Sequence, residues 1–398
     1  MKKLACILLL LLLIGTVAFA SDNQSAAWVR TLCREAVTDS IDATYFNPAG
    51  TAFLEKGLHI QAMNLSVLQE YSHKGLSGTV YTADTPVWLF PTARVGYNGG
   101  PWAVFFDFNI PAGGGSLDYQ EGIAFFELVP IALGGPIVGS IKGSSSVMAF
   151  NLGGSYRFGD MFSVGASGRV LYGMNSYNVT VDPPHPAAGS AEAKASGVGF
   201  GGMVSVDYIP FSGFTIAVTV ETGSKLEMEY TEVTGDLATT TALASFPEPI
   251  VEGGKFDADL PWRVRAGVAY EMPFGLTVSS TFKYDLNEAV DDALRNTYTI
   301  AGALAYDIGE RIEVSVGGSY GIGELADVDD HGPLDVLNPE LDSFTLAGGA
   351  GIEVIDGLVI DLSSLYVFYQ EDSAAPTSGF TDVDKNVLLF GAGVTYSF

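Results

Sequence analysis

Positive charge is scarce in this 398-residue sequence, where 19 lysines and arginines face 46 aspartates and glutamates. That balance excludes nucleic acid as a partner, because neutralising phosphates takes clustered Lys and Arg. Cysteine occurs twice, too rarely for a disulfide framework. Histidine occurs four times, at 59, 73, 185 and 331, never in a metal-ligand spacing. No Gly-x-Ser-x-Gly elbow accompanies these histidines. Neither a metal nor another cofactor is expected, and the sequence does not read as an enzyme; a dispersed Ser/His hydrolase site is the weak alternative. Long apolar helical runs are also missing after the N-terminus. The best candidate, "GIAFFELVPIALGGPIVG" at 122–139, contains Glu127, two prolines and several glycines, which suits neither a membrane-spanning helix nor a stable helix of any kind.

What is present points to strands. The chain is 47% hydrophobic and only 16% charged, with 48 glycines and 12% aromatics, a composition for sheet and turns rather than helical bundles. Residues 1–20 carry Lys2 and Lys3, an apolar run and Ala18-Phe19-Ala20, the pattern of a cleaved secretory signal peptide. Cleavage leaves Cys33 as the single thiol and 17 basic residues against 46 acids, a net charge of −29. An exported chain of positive mean hydropathy without a spanning helix reads as a β-barrel of the bacterial outer membrane.

Residues 57–398 break into stretches of about ten or more residues with period-two alternation. Arg263 and Arg265 alternate with Trp262, Val264, Ala266, Val268 and Tyr270, so the arginines face a lumen and the apolar set faces lipid. About fourteen such stretches can be placed, an even number as bacterial barrels require. Tight-turn signals at 99–100, 159–160, 210–212, 273–274, 309 and 356–357 alternate with long connections near 74–85, 111–145, 179–194, 232–258, 288–295, 322–341 and 371–384. The expected fold is thus an all-β membrane protein, a 14-stranded antiparallel transmembrane barrel with both termini at the tight-turn side. Aromatics near the strand ends, Trp88, Tyr97, Trp102, Tyr156, Phe158, Tyr270, Tyr306, Tyr396 and Phe398, are placed to form interfacial girdles. Its partners are then outer-membrane lipid and the barrel-assembly machinery, and a monomer is expected.

Residues 21–56 do not alternate. Trp28, Leu32, Ala36 and Val37 have helical spacing that stops before Asn47-Pro48 in "YFNPAG". A barrel of about fourteen strands has a lumen too wide for wall side chains to fill, so this segment is expected to be a hatch plugging it.

The segment "REAVTDSIDATYFNPAG", the later "DLPWRVRAGVAY", "RNTYTIAGALAYDI" and "DSFTLAGGAGIEV", and the ending "LLFGAGVTYSF" together resemble the FadL-type long-chain fatty acid transporters, which include channels for aromatic hydrocarbons. The resemblance covers essentially the whole mature chain. It implies capture of a hydrophobic small molecule by apolar extracellular loops and passage to an internal site. Release then follows through a lateral opening beside a kinked third strand. It also implies that Asn47, Pro48 and Ala49 sit against that kink. A basic residue that helps bind the fatty-acid carboxylate in that family corresponds to Arg295; a second has no counterpart, since the region near Met174 is apolar.

The residues add candidates of their own. A pore for ions or sugars would want opposed charges at an eyelet, whereas the inward positions here are mostly small, with sparse cations at Arg169, Arg263, Arg265, Lys283 and Arg295. Arg295, Arg169 and Arg265 are candidates for a substrate carboxylate, or else partners of lumenal acids such as Asp107, Glu221, Asp259 or Asp361. Parity with Thr297, Thr299 and Ala301 points Arg295 inward. Phe125, Phe126 and Leu128 sit in a loop too apolar for solvent, either a capture surface or a segment folded inward onto the hatch. The alternatives to fatty-acid transport are a channel for aromatic hydrocarbons or other lipophiles, and a general porin or adhesin.

Overall fold

The computed structural model describes residues 22–128, 135–185, 188–236, 250–290, 295–322, 341–370 and 380–398, which leaves the signal peptide outside the described residues. In chain order the strand segments are β1 (Gly57–Gly75), β2 (Val80–Asp84), β3 (Val87–Asn98), β4 (Trp102–Tyr119), β5 (Gly139–Phe158) and β6 (Phe162–Val181). These are followed by β7 (Gly189–Phe211), β8 (Phe214–Glu221), β9 (Lys225–Gly235), β10 (Lys255–Asp257), β11 (Trp262–Glu271) and β12 (Leu276–Leu286). The last are β13 (Thr297–Ile308), β14 (Ile312–Ile322), β15 (Ser343–Ile355), β16 (Leu358–Tyr369) and β17 (Phe380–Ser397). Neighbouring segments pair antiparallel, and β17 returns to β1, with His59 opposite Ser397 and Tyr71 opposite Lys385. Three wall strands are interrupted, as β2 with β3, β8 with β9, and β10 with β11, so the closed wall has fourteen strands.

Burial follows the alternation. Along β6, Ser163, Ser167, Arg169 and Leu171 are buried inward while Phe162, Val170, Tyr172 and Met174 are exposed outward. Arg263 and Arg265 are buried and Trp262 and Val268 exposed. The exposed apolar set covers the outside of the wall, as a surface in hydrocarbon must. Tyr97, Trp102, Tyr156, Phe158, Phe274, Tyr306 and Phe398 are exposed at the tight-turn end, a girdle at one interface.

Two sequence expectations about connections are corrected. The stretch 74–85 is not a long loop: β1 runs on to Gly75, the turn closes with the Gly75 N–H on the Thr79 carbonyl at 2.8 Å, and β2 pairs straight back. The stretch from 111 is not yet a loop either. The "PAGGG" run reads as a strand end, yet β4 continues through it to Tyr119 with register shifts at Asn109/Ala112 and Gly113/Gly115. Gly113 and Gly114 hold φ of 66° and 89° there, a conformation glycine adopts without the Cβ penalty. A Cβ on Gly114 would lie 2.3 Å from the Phe90 ring. Pro111 has no N–H to give a ladder. The strand therefore bends instead of ending.

The bend opens the wall. β3 pairs with β4 only from Ala93 opposite Phe108 to Asn98 opposite Ala103, while β4 keeps its ladder with β5. Above Ala93, residues 87–92 of β3 have no partner in β4, and β2 packs against β4 again beyond the gap. The result is a window between the second and third wall strands, bounded above and below.

Candidate functional site: a plugged lumen beside a wall window

Residues 22–53 pack against the inner face of the barrel wall. Helix α1 (Ala26–Thr31) is capped by Ser25, whose hydroxyl accepts the Trp28 N–H and donates to Asp42 at 2.6 Å. Helix α2 (Ala43–Phe46) leads through Asn47 into a 3-10 turn over Pro48–Phe53. Proline at the start of that turn needs no N–H acceptor. Val29, Leu32 and Cys33 pack on Met63, Leu65, Ala301, Ala303, Ala347, Leu365 and Leu389 of the wall. The small inward residues let the hatch backbone come close. A Cβ on Gly317 would fall 2.3 Å from the Thr31 carbonyl oxygen, and one on Gly165 2.4 Å from the Ala49 nitrogen.

Polar contacts fix the hatch at several heights. Arg30 pairs with Glu313 and, at 3.3 Å, with Asp361. Arg34 closes the hatch on itself through Asp39 and Asp42. Asp22 meets Arg263 at 3.0 Å, Arg265 at 3.0 Å and Lys283 at 2.7 Å. Burial pushes the Asp22 carboxyl up, but Arg263, Lys283 and Arg265 outweigh burial and hold it well below the usual carboxylate range. Charges buried this deeply are tolerated only when paired.

Asn47, Pro48 and Ala49 make specific contacts, though not with the kink. The Asn47 amide donates to Asp207 at 2.6 Å and to the Glu35 carbonyl at 2.7 Å. The Ala49 N–H donates to the Ser205 hydroxyl at 2.7 Å, and the Ser163 hydroxyl donates to its carbonyl at 3.0 Å. The segment is therefore seated mainly on β5, β6 and β7. The residue at the kink is Gln24, whose side-chain amide donates to the Ile110 carbonyl at 2.7 Å and accepts the Ile110 N–H at 3.2 Å. Its carbonyl accepts from Arg94 at 2.6 Å and Thr92 at 3.2 Å, and Arg94 is itself held by Asp107 at 2.5 Å. Gln24 thus takes the place of a missing strand partner where β4 has let go of β3. Nothing in the sequence around Gln24 signals this; only the bent strand beside it does.

On the inner side of Gln24, a cavity of about 220 Å³ is lined by Asp22, Asn23, Trp28, Leu32, Lys283, Leu365, Val367 and Tyr369, among others. On its outer side, a groove of about 950 Å³ runs along Val87, Trp88, Leu89, Ile110, Tyr172 and Met174. Asp22 and Asn23 line the cavity, and the next residue, Gln24, is bonded to Ile110, which lines the groove.

The lumenal cations expected from the sequence divide. Arg169 pairs with Glu221 and donates to Asn151 at 2.7 Å. Arg265 pairs with Asp22 and, at 3.3 Å, with Glu221, and lies over the Tyr45 ring at 4.9 Å. Arg263 pairs with Asp22 and Asp285. Of the acids named as their partners, only Glu221 takes this role, for Arg169 and Arg265; Asp107 holds Arg94, Asp259 holds Lys225 and Asp361 holds Arg30 instead. Thr299 and Ala301 do line the cavity. Arg295 precedes the first residue of β13, in the connection, where the Asn287 amide holds its carbonyl at 2.9 Å; it is half-buried there rather than placed on an inward strand position.

Of the apolar loop, Phe126 is buried and its carbonyl accepts the Ile137 N–H at 3.1 Å; the side chains of Phe125 and Leu128 lie outside the described residues. The described part of the loop turns inward onto β1, β2 and the turn between them. The Ala124 N–H donates to His73 at 3.0 Å, and Glu127 accepts from Ser77 at 2.6 and 2.8 Å and from Tyr81 at 2.9 Å.

Cys33 offers a check on hatch packing. Burial, with the nearby Glu35 charge, pushes its thiol up to about 12, so its thiolate fraction near pH 8 falls on the order of a thousand-fold below that of a free cysteine. The mature, folded protein is expected to resist iodoacetamide and to be labelled at once in denaturant. Rapid labelling of the folded barrel would mean that the hatch is loose.

The protein is thus a closed transmembrane barrel of the outer-membrane type, with its N-terminal segment packed inside and a window in its wall. No protein-family model and no curated sequence matches the chain, but solved structures do. A Pseudomonas aeruginosa FadL homologue superposes with a TM-score of 0.73 at 15% identity, over 96% of this chain and 100% of that one. The Pseudomonas putida toluene transporter TodX gives 0.69 at 12% identity over 90% and 94% of the two chains. The Ralstonia pickettii toluene transporter TbuX gives 0.65 at 14%, over 90% and 94%. The chain has the FadL-type fold.

Proposed function

We propose that the protein carries hydrophobic molecules, long-chain fatty acids foremost, across the bacterial outer membrane and releases them sideways through the wall. The observation that supports this reading is the N-terminal tip of the hatch: Asp22 and Asn23 line the inner cavity, and Gln24 hydrogen-bonds Ile110 of the bent strand, which lines the outer groove. A solute that displaces this tip reaches the groove outside Trp88 and Leu89 without crossing the rest of the hatch. A sugar or ion pore is disfavoured by the filled lumen, and the resemblance to transporters and channels gives no support to an enzyme. The chain is taken to be exported by its signal peptide, inserted by the barrel-assembly machinery and active as a monomer. A second reading, a channel for aromatic hydrocarbons, is favoured by the likeness to toluene transporters. Uptake of labelled oleate and toluene by cells with and without the protein separates the two. Protein-dependent oleate entry is expected; entry of toluene alone would replace the first reading with the second, and no dependence for either would remove both.

A further inference from the structure

The two edges of the window are held differently. On β4 the freed backbone of Ile110 is taken by Gln24. On β3 the facing segment is Val87–Phe90, and it has no partner in β4. Its hold on β1 is also incomplete. Leu65 stands opposite Phe90 and Val67 opposite Val87, so Trp88 and Leu89 share the place of one partner, Ser66. This is a β-bulge, and it leaves two successive apolar side chains, Trp88 and Leu89, 63% and 77% exposed on the outer face. Two side chains of β1 complete the ladder there. The Asn64 amide donates to the Trp88 carbonyl at 3.0 Å and its side-chain carbonyl accepts the Phe90 N–H at 3.0 Å, while the Ser66 hydroxyl donates to the Trp88 carbonyl at 3.1 Å. Pro86 and Pro91 bracket the segment and have no N–H to give a ladder.

Met63 and Leu65 are buried inward, so parity turns Asn64 and Ser66 to the lipid face. An amide in hydrocarbon is costly unless it is hydrogen-bonded, and both bonds of Asn64 go to this segment. We infer that Val87–Phe90 is a flap, the moving edge of the window, and that Asn64 is the positioning residue that keeps it at rest against β1. Moving the flap disturbs a bulged ladder completed by side chains and breaks no pairing with β4, whereas moving β4 would break its ladder with β5. The flap carries Trp88 and Leu89, so its displacement also reshapes the groove that they line. The inference rests on the reading of the window as the exit and adds a second device, besides the hatch tip, that widens it.

The test uses the mature, full-length protein carrying Cys33→Ala in phospholipid vesicles, with a nitroxide on Leu89→Cys or, for reference, on Leu152→Cys of β5, where the native leucine is 70% exposed. The label at 89 is expected to move faster than the one at 152. Asn64→Leu is expected to speed the label at 89 at least about two-fold, because a segment with few remaining backbone bonds opens at low cost. It should leave the label at 152 unchanged and the barrel heat-modifiable; Asn64→Gln, which keeps a donor and an acceptor, stays near the parent. Equal motion of the two labels in the parent, an unchanged label at 89 in Asn64→Leu, or equal loosening at both positions would overturn the flap. A second arm locks it. The pair Val67→Cys and Val87→Cys, opposite one another in the register, is expected on oxidation to slow entry of labelled oleate or toluene into the vesicles about ten-fold and to restore it on reduction. Entry untouched by the closed disulfide would overturn the inference as well. If the unlocked protein carries neither probe, the transport reading falls, and the two labels alone decide whether the segment moves.

Discussion

A barrel lacking residues 21–50 is expected to insert and to conduct ions at least about ten-fold better than the parent in planar bilayers, because wall side chains cannot fill a fourteen-stranded lumen. The wall ladders from β1 to β17 run without hatch backbone, so the barrel does not need the hatch to close. Deletion also strips partners from Arg263 and Arg265, which keep Asp285 and Glu221, and from Glu313 and Asp361, which lose Arg30. In a water-filled lumen those groups are rehydrated, and the penalty of an unpaired buried charge does not arise. Unchanged conductance after deletion would mean that residues 22–56 do not plug the channel.

The second large effect is expected from one carboxylate. Asp22→Ala leaves Arg263, Arg265 and Lys283 facing one another with fewer counter-charges, and removing one partner of a buried ion pair costs about 3–5 kcal/mol. The cost falls on the seating of the tip, so Gln24 should leave Ile110 and the window beside it should open. Faster protease cleavage near residue 22 and a rise in small-molecule permeation, with the barrel still heat-modifiable, are the expected signs. An unchanged cleavage rate would show that Gln24 and Arg94 hold the tip without the ion cluster. Acid is not a substitute for the mutation. The folded carboxyl of Asp22 titrates below its unfolded value, so its contribution is present above about pH 4 and is lost only as pH falls through the depressed folded value. Lowering the pH from 7 to 5 should therefore leave the tip seated.

Much of the barrel was legible because alternation is a local property. Each residue of a strand points opposite to its neighbour, so Trp262, Arg263, Val264 and Arg265 declare lipid and lumen with no knowledge of the strands beside them. The non-alternating segment before Gly57 declared itself in the same way, as did the turns at Gly159, Gly309 and Gly357 with their positive φ. Parity placed Thr299 and Ala301 on the cavity side, but it could not say that Arg295 lies before β13 begins.

Tertiary structure alone decided what those faces meet. "PAGGG" has the residues of a turn, and only the unbroken ladder from β4 to β5 makes it a bend within a strand. Gln24 becomes a strand partner because that bend frees the backbone of Ile110. Asn47-Pro48-Ala49 is seated on β5 to β7 because glycine at 165 leaves room for its backbone there. Lys385 stands between Tyr71 and Tyr369 through the closing register of β17 on β1, two residues more than three hundred positions apart in the chain. The sequence by itself settled the period, the parity and the turns, which depend on neighbours along the chain. Which charges are neutralised, where the wall opens and what fills the window depend on register and closure, and a one-residue shift in either would have changed every pairing while leaving the local pattern the same.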